Sequence, residues 1–252
     1  DVLCDRNPLL FKAQEEVAPE LEARIMSLVN ERIGGRPLQY LLGQWDFWSC
    51  TFKVGEGVLI PRPDTEVLME NALDICRKNG LTSLKIADLC SGSGCLAISL
   101  KTELPLADVT AVELSEKALT YLRQNAELNS ADINILAADV LDPKTAAQLR
   151  ELDIIVSNPP YLTAQEMNDL QIEVQKEPQM ALYGGTDGLD FYRAMTPLWR
   201  DSLKVGGWLC YEFGIDQHEE IGKILAGNGF VNIKFTRDAG GIIRTASAQR
   251  SE

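Results

Sequence analysis

Ile154-Ile155-Val156-Ser157-Asn158-Pro159-Pro160-Tyr161 decides how this chain is read. Two isoleucines and a valine in an unbroken apolar run mark a strand buried on both faces of a parallel sheet. Two prolines end it, because neither can donate to a sheet ladder. Asn158 is therefore expected at the carboxyl end of a central strand, where open α/β sheets bind ligands. Its amide offers one carbonyl acceptor and two N–H donors. Pro159 precedes a proline and is held extended, and its carbonyl has no N–H from Pro160 to compete for it. Tyr161 adds a flat apolar face with a polar tip. Two fixed acceptors beside an aromatic plate suit a planar NH2 group, of an amide or of a nucleobase.

Upstream, the units alternate strand and helix. Leu84–Leu89, Asp108–Glu113 and Ile133–Ala137 read as strands, with helices running through Leu100 and over Ser115–Asn125. Downstream come a helix at Asp190–Leu203, a strand at Gly207–Phe213 and a helix with a capping-box start at Asp216 and Glu219. Two closing strands, Phe230–Thr236 and Ile242–Ala248, are joined by Asp238-Ala239-Gly240-Gly241. So short a join makes the last strand antiparallel. The fold class is α/β, a doubly wound seven-stranded sheet with an antiparallel last strand.

Ahead of the sheet, Pro19–Arg32 and Pro37–Leu42 read as helices of a small unit over residues 1–44, stopped by Gly34-Gly35. The chain opens at Asp1 rather than Met, which leaves truncation of this unit open. Residues 45–64 are rich in aromatic and β-branched side chains around Gly55-Glu56-Gly57, the pattern of a β-hairpin linker. Residues 65–252 form the main domain. It opens with a helix capped by Asp64 or Thr65 and running to about Asn79, with Gly80 behind it. Arg62, fixed between two prolines, is either a ligand contact or a surface ion-pairing residue.

The loop Asp88-Leu89-Cys90-Ser91-Gly92-Ser93-Gly94 joins the first strand of the sheet to its helix. Gly92 and Gly94 let the backbone approach a ligand, and the helix N-terminus offers free N–H groups. Glu113 ends the next strand, where an acid binds ribose hydroxyls. Taken alone, this loop also passes as a nicotinamide-dinucleotide fingerprint. Asp139, past the third strand, is placed to accept from an adenine amine, with Val140 against the ring. Glu113, Asp139 and Asn158 on successive strand ends fit an adenosine laid across the sheet with its reactive end at Asn158.

Composition removes other classes. Net charge is −13, from 37 acidic and 24 basic residues, which disfavours a grip on nucleic-acid backbones. His218 is the only histidine, so no His-ligated metal site and no Ser-His-Asp or Cys-His set can be assembled. No run of about 18 apolar residues crosses a membrane, and no signal segment opens the chain. Six cysteines without a Cys-x-x-Cys pair read as reduced, mostly buried thiols of a cytoplasmic protein.

The chain resembles class I S-adenosylmethionine-dependent methyltransferases, and specifically the protein glutamine methyltransferases of peptide chain release factors. Asn158-Pro159-Pro160-Tyr161 and the glycine loop carry the class. Arg36-Pro37-Leu38-Gln39-Tyr40-Leu41, Val58 to Glu66, and Glu177-Pro178 followed by Ala181 to Leu189 carry the family. The resemblance implies methyl transfer from S-adenosylmethionine, leaving S-adenosylhomocysteine, to the glutamine of a Gly-Gly-Gln motif. The expected partner is a release factor and the expected state a monomer. An adenine-specific nucleic-acid methyltransferase is the alternative, since the same proline motif can hold a flipped base.

Carried over residue by residue, the resemblance puts the cofactor's amino-acid part on Cys90, Ser91, Gly92, Ser93 and Gly94. Its ribose falls on Glu113, its adenine on Asp139 and Val140, and its reactive end at Asn158. Substrate falls on Asn158, Pro159, Pro160 and Tyr161, with Asn158, Pro159 and Tyr161 catalytic. Cys90 stands where such loops often have Gly, and Glu113 is one methylene longer than the frequent Asp. The acidic insertion from Leu162 to Gly188 is read as a lid or docking surface, or as a solvated loop.

Overall fold

A computed structural model describes residues 16–78 and 83–252. Residues 1–15, with Cys4, and the expected helix end at Asn79-Gly80 lie outside the described residues. In chain order the elements begin with α1 (Pro19–Ile33) and α2 (Leu38–Leu42), then the hairpin strands β1 (Gln44–Phe47) and β2 (Cys50–Lys53). The main domain follows with α3 (Thr65–Lys78), β3 (Lys85–Leu89), α4 (Cys95–Glu103), β4 (Asp108–Glu113), α5 (Glu116–Leu128) and β5 (Asn134–Ala137). Next come α6 (Pro143–Gln148), β6 (Leu152–Ser157), α7 (Asp190–Arg200), β7 (Leu203–Glu212), α8 (His218–Gly227), β8 (Phe230–Arg237) and β9 (Ile243–Arg250).

The sheet order is β5-β4-β3-β6-β7-β9-β8. The first five strands are parallel, and β9 runs antiparallel to both its neighbours. Helices cover both faces, so the central strands are apolar throughout rather than alternating. Ile86, Ile154 and Val156 face one core with Leu68, Met69, Leu73 and Leu122. Ala87, Leu89 and Ile155 face the other with Tyr192, Met195 and Trp199. No helix among the described residues is long and apolar enough to cross a membrane.

The order in which strands join the sheet reverses between β3 and β6, and their parallel register aligns their ends. Leu89 pairs with Ser157, and the Ser157 hydroxyl donates to the Leu89 carbonyl at 2.6 Å. The glycine loop and the proline corner thus leave adjacent strands at the same height, the crevice such sheets use for ligands.

Three expectations differ. The hairpin exists, but its turn is Trp48-Ser49, between Phe47 and its partner Cys50; Trp48 has φ 54°. Gly55-Glu56-Gly57 is a separate turn beyond β2. Its glycines leave room for neighbours, since a Cβ on Gly55 would lie 2.2 Å from the Tyr121 hydroxyl. The capping box at Asp216 does not form: Asp216 has φ 64°, and α8 starts at His218 behind Gln217, which makes no side-chain cap. Gln217 is otherwise engaged, accepting from Gly214 N–H at 2.9 Å and donating to the Tyr161 carbonyl at 3.0 Å. The sequence places His218 on an exposed turn after a helix-start signal; instead it opens that helix half-buried and meets the Phe235 ring edge-on at 5.8 Å.

Asn125 of α5 ties hairpin to glycine loop. It is fully buried, accepts the Lys53 N–H at 2.7 Å and donates to the Lys53 and Ser93 carbonyls at 3.1 and 2.9 Å. Asn125→Ala strands all three backbone groups and is expected to cost about 2–3 kcal/mol. Denaturant unfolding checks this; a loss below about 0.5 kcal/mol would contradict the assigned role.

Candidate active site

A cleft of about 1080 Å³ opens over the carboxyl ends of β3, β4 and β6. Its wall carries Cys90, Ser91, Gly92, Ser93, Glu113, Asp139, Val140, Asn158 and Pro160 from the expected set. Gly94, Pro159 and Tyr161 do not contribute to the lining. Gly94 instead turns into α4 with φ 83°, and a Cβ there would lie 2.3 Å from Leu122.

The loop after β3 is built from residues in the left-handed region: Cys90 at φ 63°, Gly92 at 56° and Gly94 at 83°. An L side chain at such a φ is strained. That accounts for the frequency of glycine at the position held here by Cys90. A Cβ added to Gly92 would find no atom within 4 Å, because the loop faces open cleft there. Glu113 organises the loop: its Oε2 accepts Gly92 N–H at 2.8 Å and its Oε1 accepts Ser115 N–H at 2.7 Å. Asp139 likewise accepts Leu141 N–H at 2.8 Å while facing the cleft. The turn role and the lining role coexist. Val140 is held through its carbonyl, which accepts the Trp199 indole N–H at 2.8 Å.

At the proline corner, the Asn158 Nδ2 donates to the Thr65 hydroxyl at 3.2 Å. No described residue donates to the Pro159 carbonyl. Burial raises the Tyr161 hydroxyl well above its usual range, with Glu212 adding to the shift. Gly184 and Gly188 brace the corner from outside. A Cβ on Gly184 would sit 2.6 Å from the Pro160 carbonyl, and one on Gly188 would sit 2.2 Å from the Tyr161 carbonyl.

The acidic insertion is tied to the rest of the fold at two of its acids, while Glu166 and Asp169 stay exposed. Glu177 is buried, accepts Ile60 N–H at 3.0 Å and pairs with Arg62. Glu173 pairs with Arg32 of α1, and Glu166 accepts from the Thr163 hydroxyl and N–H at 2.8 Å. Arg62 both lines the cleft and holds this ion pair.

Two buried acids at strand ends escaped the sequence reading. Asp88 sits at 1% exposure in the cleft wall, and Glu212 closes β7 beside Asn158. Each was visible as an acid closing a buried run, the same signal that marked Glu113.

Comparison with known proteins bears on this arrangement. The chain matches the family model of the PrmC N-terminal domain over residues 3–43 and that of the methyltransferase small domain over residues 64–182. A release factor glutamine methyltransferase of Geobacter sulfurreducens is 37% identical over 97% of this chain and 84% of its own length. One from Moorella thermoacetica is 41% identical over 86% of this chain and 75% of its own. Among solved structures, the hMettl16 catalytic domain in complex with an RNA hairpin superposes with a TM-score of 0.64 at 14% identity, covering 99% of this chain and 97% of that one. The 16S rRNA methyltransferase RsmC of Thermus thermophilus, in complex with AdoMet and guanosine, gives 0.58 at 17%, covering 82% and 49%. At such identities the structural likeness carries the fold alone.

Burial pushes the Asp88 carboxyl up to about 7, Glu113 adding to the shift while Ser91 and the Ala97 N–H oppose it. A carboxyl raised on folding contributes stability below its unfolded pKa of about 3.9 and loses it as pH rises through the folded value. The melting temperature of the wild type, measured relative to Asp88→Asn, is expected to fall between about pH 4 and 8. A difference independent of pH would contradict the shift.

Proposed function

The chain belongs to the release factor glutamine methyltransferases, and from that membership we propose that it transfers a methyl group from S-adenosylmethionine to the side-chain amide of the glutamine in a release factor's Gly-Gly-Gln motif. One observation carries the reading at the site: Asn158 and the unengaged Pro159 carbonyl stand at the end of β6, next to a glycine loop held open by Glu113.

The cleft suits the methyl donor. Space above Gly92 admits an amino-acid moiety against the backbone. Glu113 has lone pairs beyond its two backbone donors for a ribose diol, and Asp139 with Val140 forms an adenine wall. Glu113 and Asp139 around one cleft favour a cationic ligand. Bound there, S-adenosylmethionine supplies an electrophilic methyl on a sulfonium leaving group.

The residues of the corner then do the positioning. An amide nitrogen is a poor nucleophile because its lone pair is delocalised. The Asn158 Oδ1 and the Pro159 carbonyl accept its two N–H bonds, turning the nitrogen towards the methyl and favouring the positive charge that develops on it. Tyr161 packs on the amide plane. The nitrogen lone pair would form the new N–C bond as the C–S pair goes to the sulfonium sulfur, and the amide nitrogen, made strongly acidic by its positive charge, would release one proton to water. Holding two reactants in line lowers a barrier by on the order of 7–11 kcal/mol, so no strong base is required.

In this reading residues 1–44 and the linker 45–64 orient the protein substrate, and residues 65–252 perform the transfer. The matched spans 3–43 and 64–182 support that division. Five free cysteines among the described residues support a reducing, cytoplasmic setting, and the enzyme acts as a monomer. A nucleic-acid adenine substrate is disfavoured by the −13 charge and by the names of the relatives.

Mass spectrometry of a release factor incubated with the protein and S-adenosylmethionine is expected to place one methyl on that glutamine. Asn158→Ala is expected to lose roughly 100-fold or more in turnover while binding the cofactor normally by calorimetry. Near-normal turnover in that variant would refute the mechanism.

A further inference from the structure

We infer that Glu212 is a positioning residue for this reaction, fixing which end of the Asn158 side-chain amide faces the cleft. The inference rests on the methyl-transfer reading above.

Register pairs Ser157 of β6 with Tyr211 of β7, so Asn158 and Glu212 leave adjacent strands side by side. Glu212 is 1% exposed, and its Oε2 is buried without a hydrogen-bond partner. It is absent from the cleft wall, so it acts through a neighbour. Thr65, at the start of α3 and equally buried, is that neighbour. Its hydroxyl accepts from Asn158 Nδ2 at 3.2 Å, and the Thr65 and Asn158 side chains both act on the Glu212 carboxyl.

With Glu212 ionised, one hydrogen-bond polarity engages all three side chains. A hydroxyl carries a single proton, and an ionised carboxylate can only accept. Thr65 gives its proton to Glu212, and its oxygen is left to accept from Asn158 Nδ2. The NH2 end of Asn158 is tied inward, which turns Oδ1 outward as the acceptor a substrate amide needs. A protonated Glu212 donates to Thr65 instead. The Thr65 proton is then free to turn towards the Asn158 Oδ1, which favours the reversed amide, one that meets the substrate N–H bonds with donors.

The protonation state is therefore part of the device. Burial pushes the Glu212 carboxyl up to about 7, Asp64 adds to the shift, and Thr65, Arg244 and Asn158 oppose it. Arg244 is shared, 3.5 Å from Asp64 and 3.2 Å from Asp238. Tyr161, Tyr192 and Cys95 feel the charge of the carboxyl, and burial raises all three above their usual ranges, so they stay protonated through the neutral range.

The test measures turnover and KM of the full chain on a release factor, with cofactor affinity by calorimetry, between about pH 5.5 and 8.5. Wild-type kcat is expected to rise to a plateau through about pH 7. E212Q is expected to lose about tenfold or more in kcat, with KM and cofactor affinity little changed and the inflection near pH 7 gone. E212D is expected to restore part of the rate together with an inflection. T65S, which keeps the hydroxyl, is expected to exceed T65V by about tenfold in kcat. An E212Q enzyme with wild-type kcat, or one whose profile still turns near pH 7, overturns the inference. Should E212Q fail to fold, equal kcat in T65S and T65V overturns it. A wild type that does not methylate the release factor overturns the methyl-transfer reading itself, a result distinct from an active wild type indifferent to Glu212.

Discussion

Pro159 and Pro160 have no N–H to donate, so the backbone leaving β6 cannot extend its ladder and must turn out of the sheet. The turn has to be held by something other than the usual backbone pairs. Gln217 takes the Tyr161 carbonyl, and the chain pairs again only at Leu162, which donates to Leu182 and accepts from Gly184. That return strand lies so close to the corner that residues 184 and 188 have no room for a side chain. Gly184 and Gly188 are thus a consequence of the proline corner. They let one backbone lie against another whose carbonyls must stay fixed.

The same brace explains where the acidic charge of the insertion goes. Glu177 reaches across to Ile60 and Arg62 of the linker, and Glu173 reaches Arg32 of the helical unit. Asn125 performs the equivalent service on the opposite side of the cleft, joining β2 to the glycine loop. The cleft is therefore walled by segments far apart in sequence and held by buried polar contacts. Such contacts are demanding, since each leaves a costly unpaired group if one partner is lost. The benefit is a site whose backbone carbonyls and N–H groups are fixed in advance, which is where positioning catalysis draws its effect.

Much of this was legible in the sequence. The apolar runs gave every strand of the seven-stranded sheet to within a few residues, because buried parallel strands announce themselves without reference to partners. Glu113, Asp139 and Asn158 were singled out because strand ends are where such sheets bind ligands, and the fold brings all three to one cleft. What failed was local turn geometry. Gly55-Glu56-Gly57 looks like a hairpin turn, yet the turn falls at Trp48-Ser49, where Trp48 adopts a positive φ that no propensity favours. Asp216 and Glu219 spell a capping box, but Gln217 is drawn away to Tyr161 by a tertiary contact. The Thr65–Glu212 arrangement was illegible for a similar reason. Its members come from α3 and β7, and only the register of β6 against β7 brings them to Asn158.

The proposed methyl transfer requires a flat NH2 group held between the Asn158 Oδ1 and the Pro159 carbonyl, facing the donor methyl across the glycine loop. A crystal structure of this chain with S-adenosylhomocysteine and a glutamine-containing Gly-Gly-Gln peptide tests it most directly. The expected result is a peptide amide nitrogen within about 3 Å of both oxygens, pointed at the cofactor sulfur. An amide bound elsewhere, or a corner turned away from the sulfur and filled by the protein's own side chains, would contradict it.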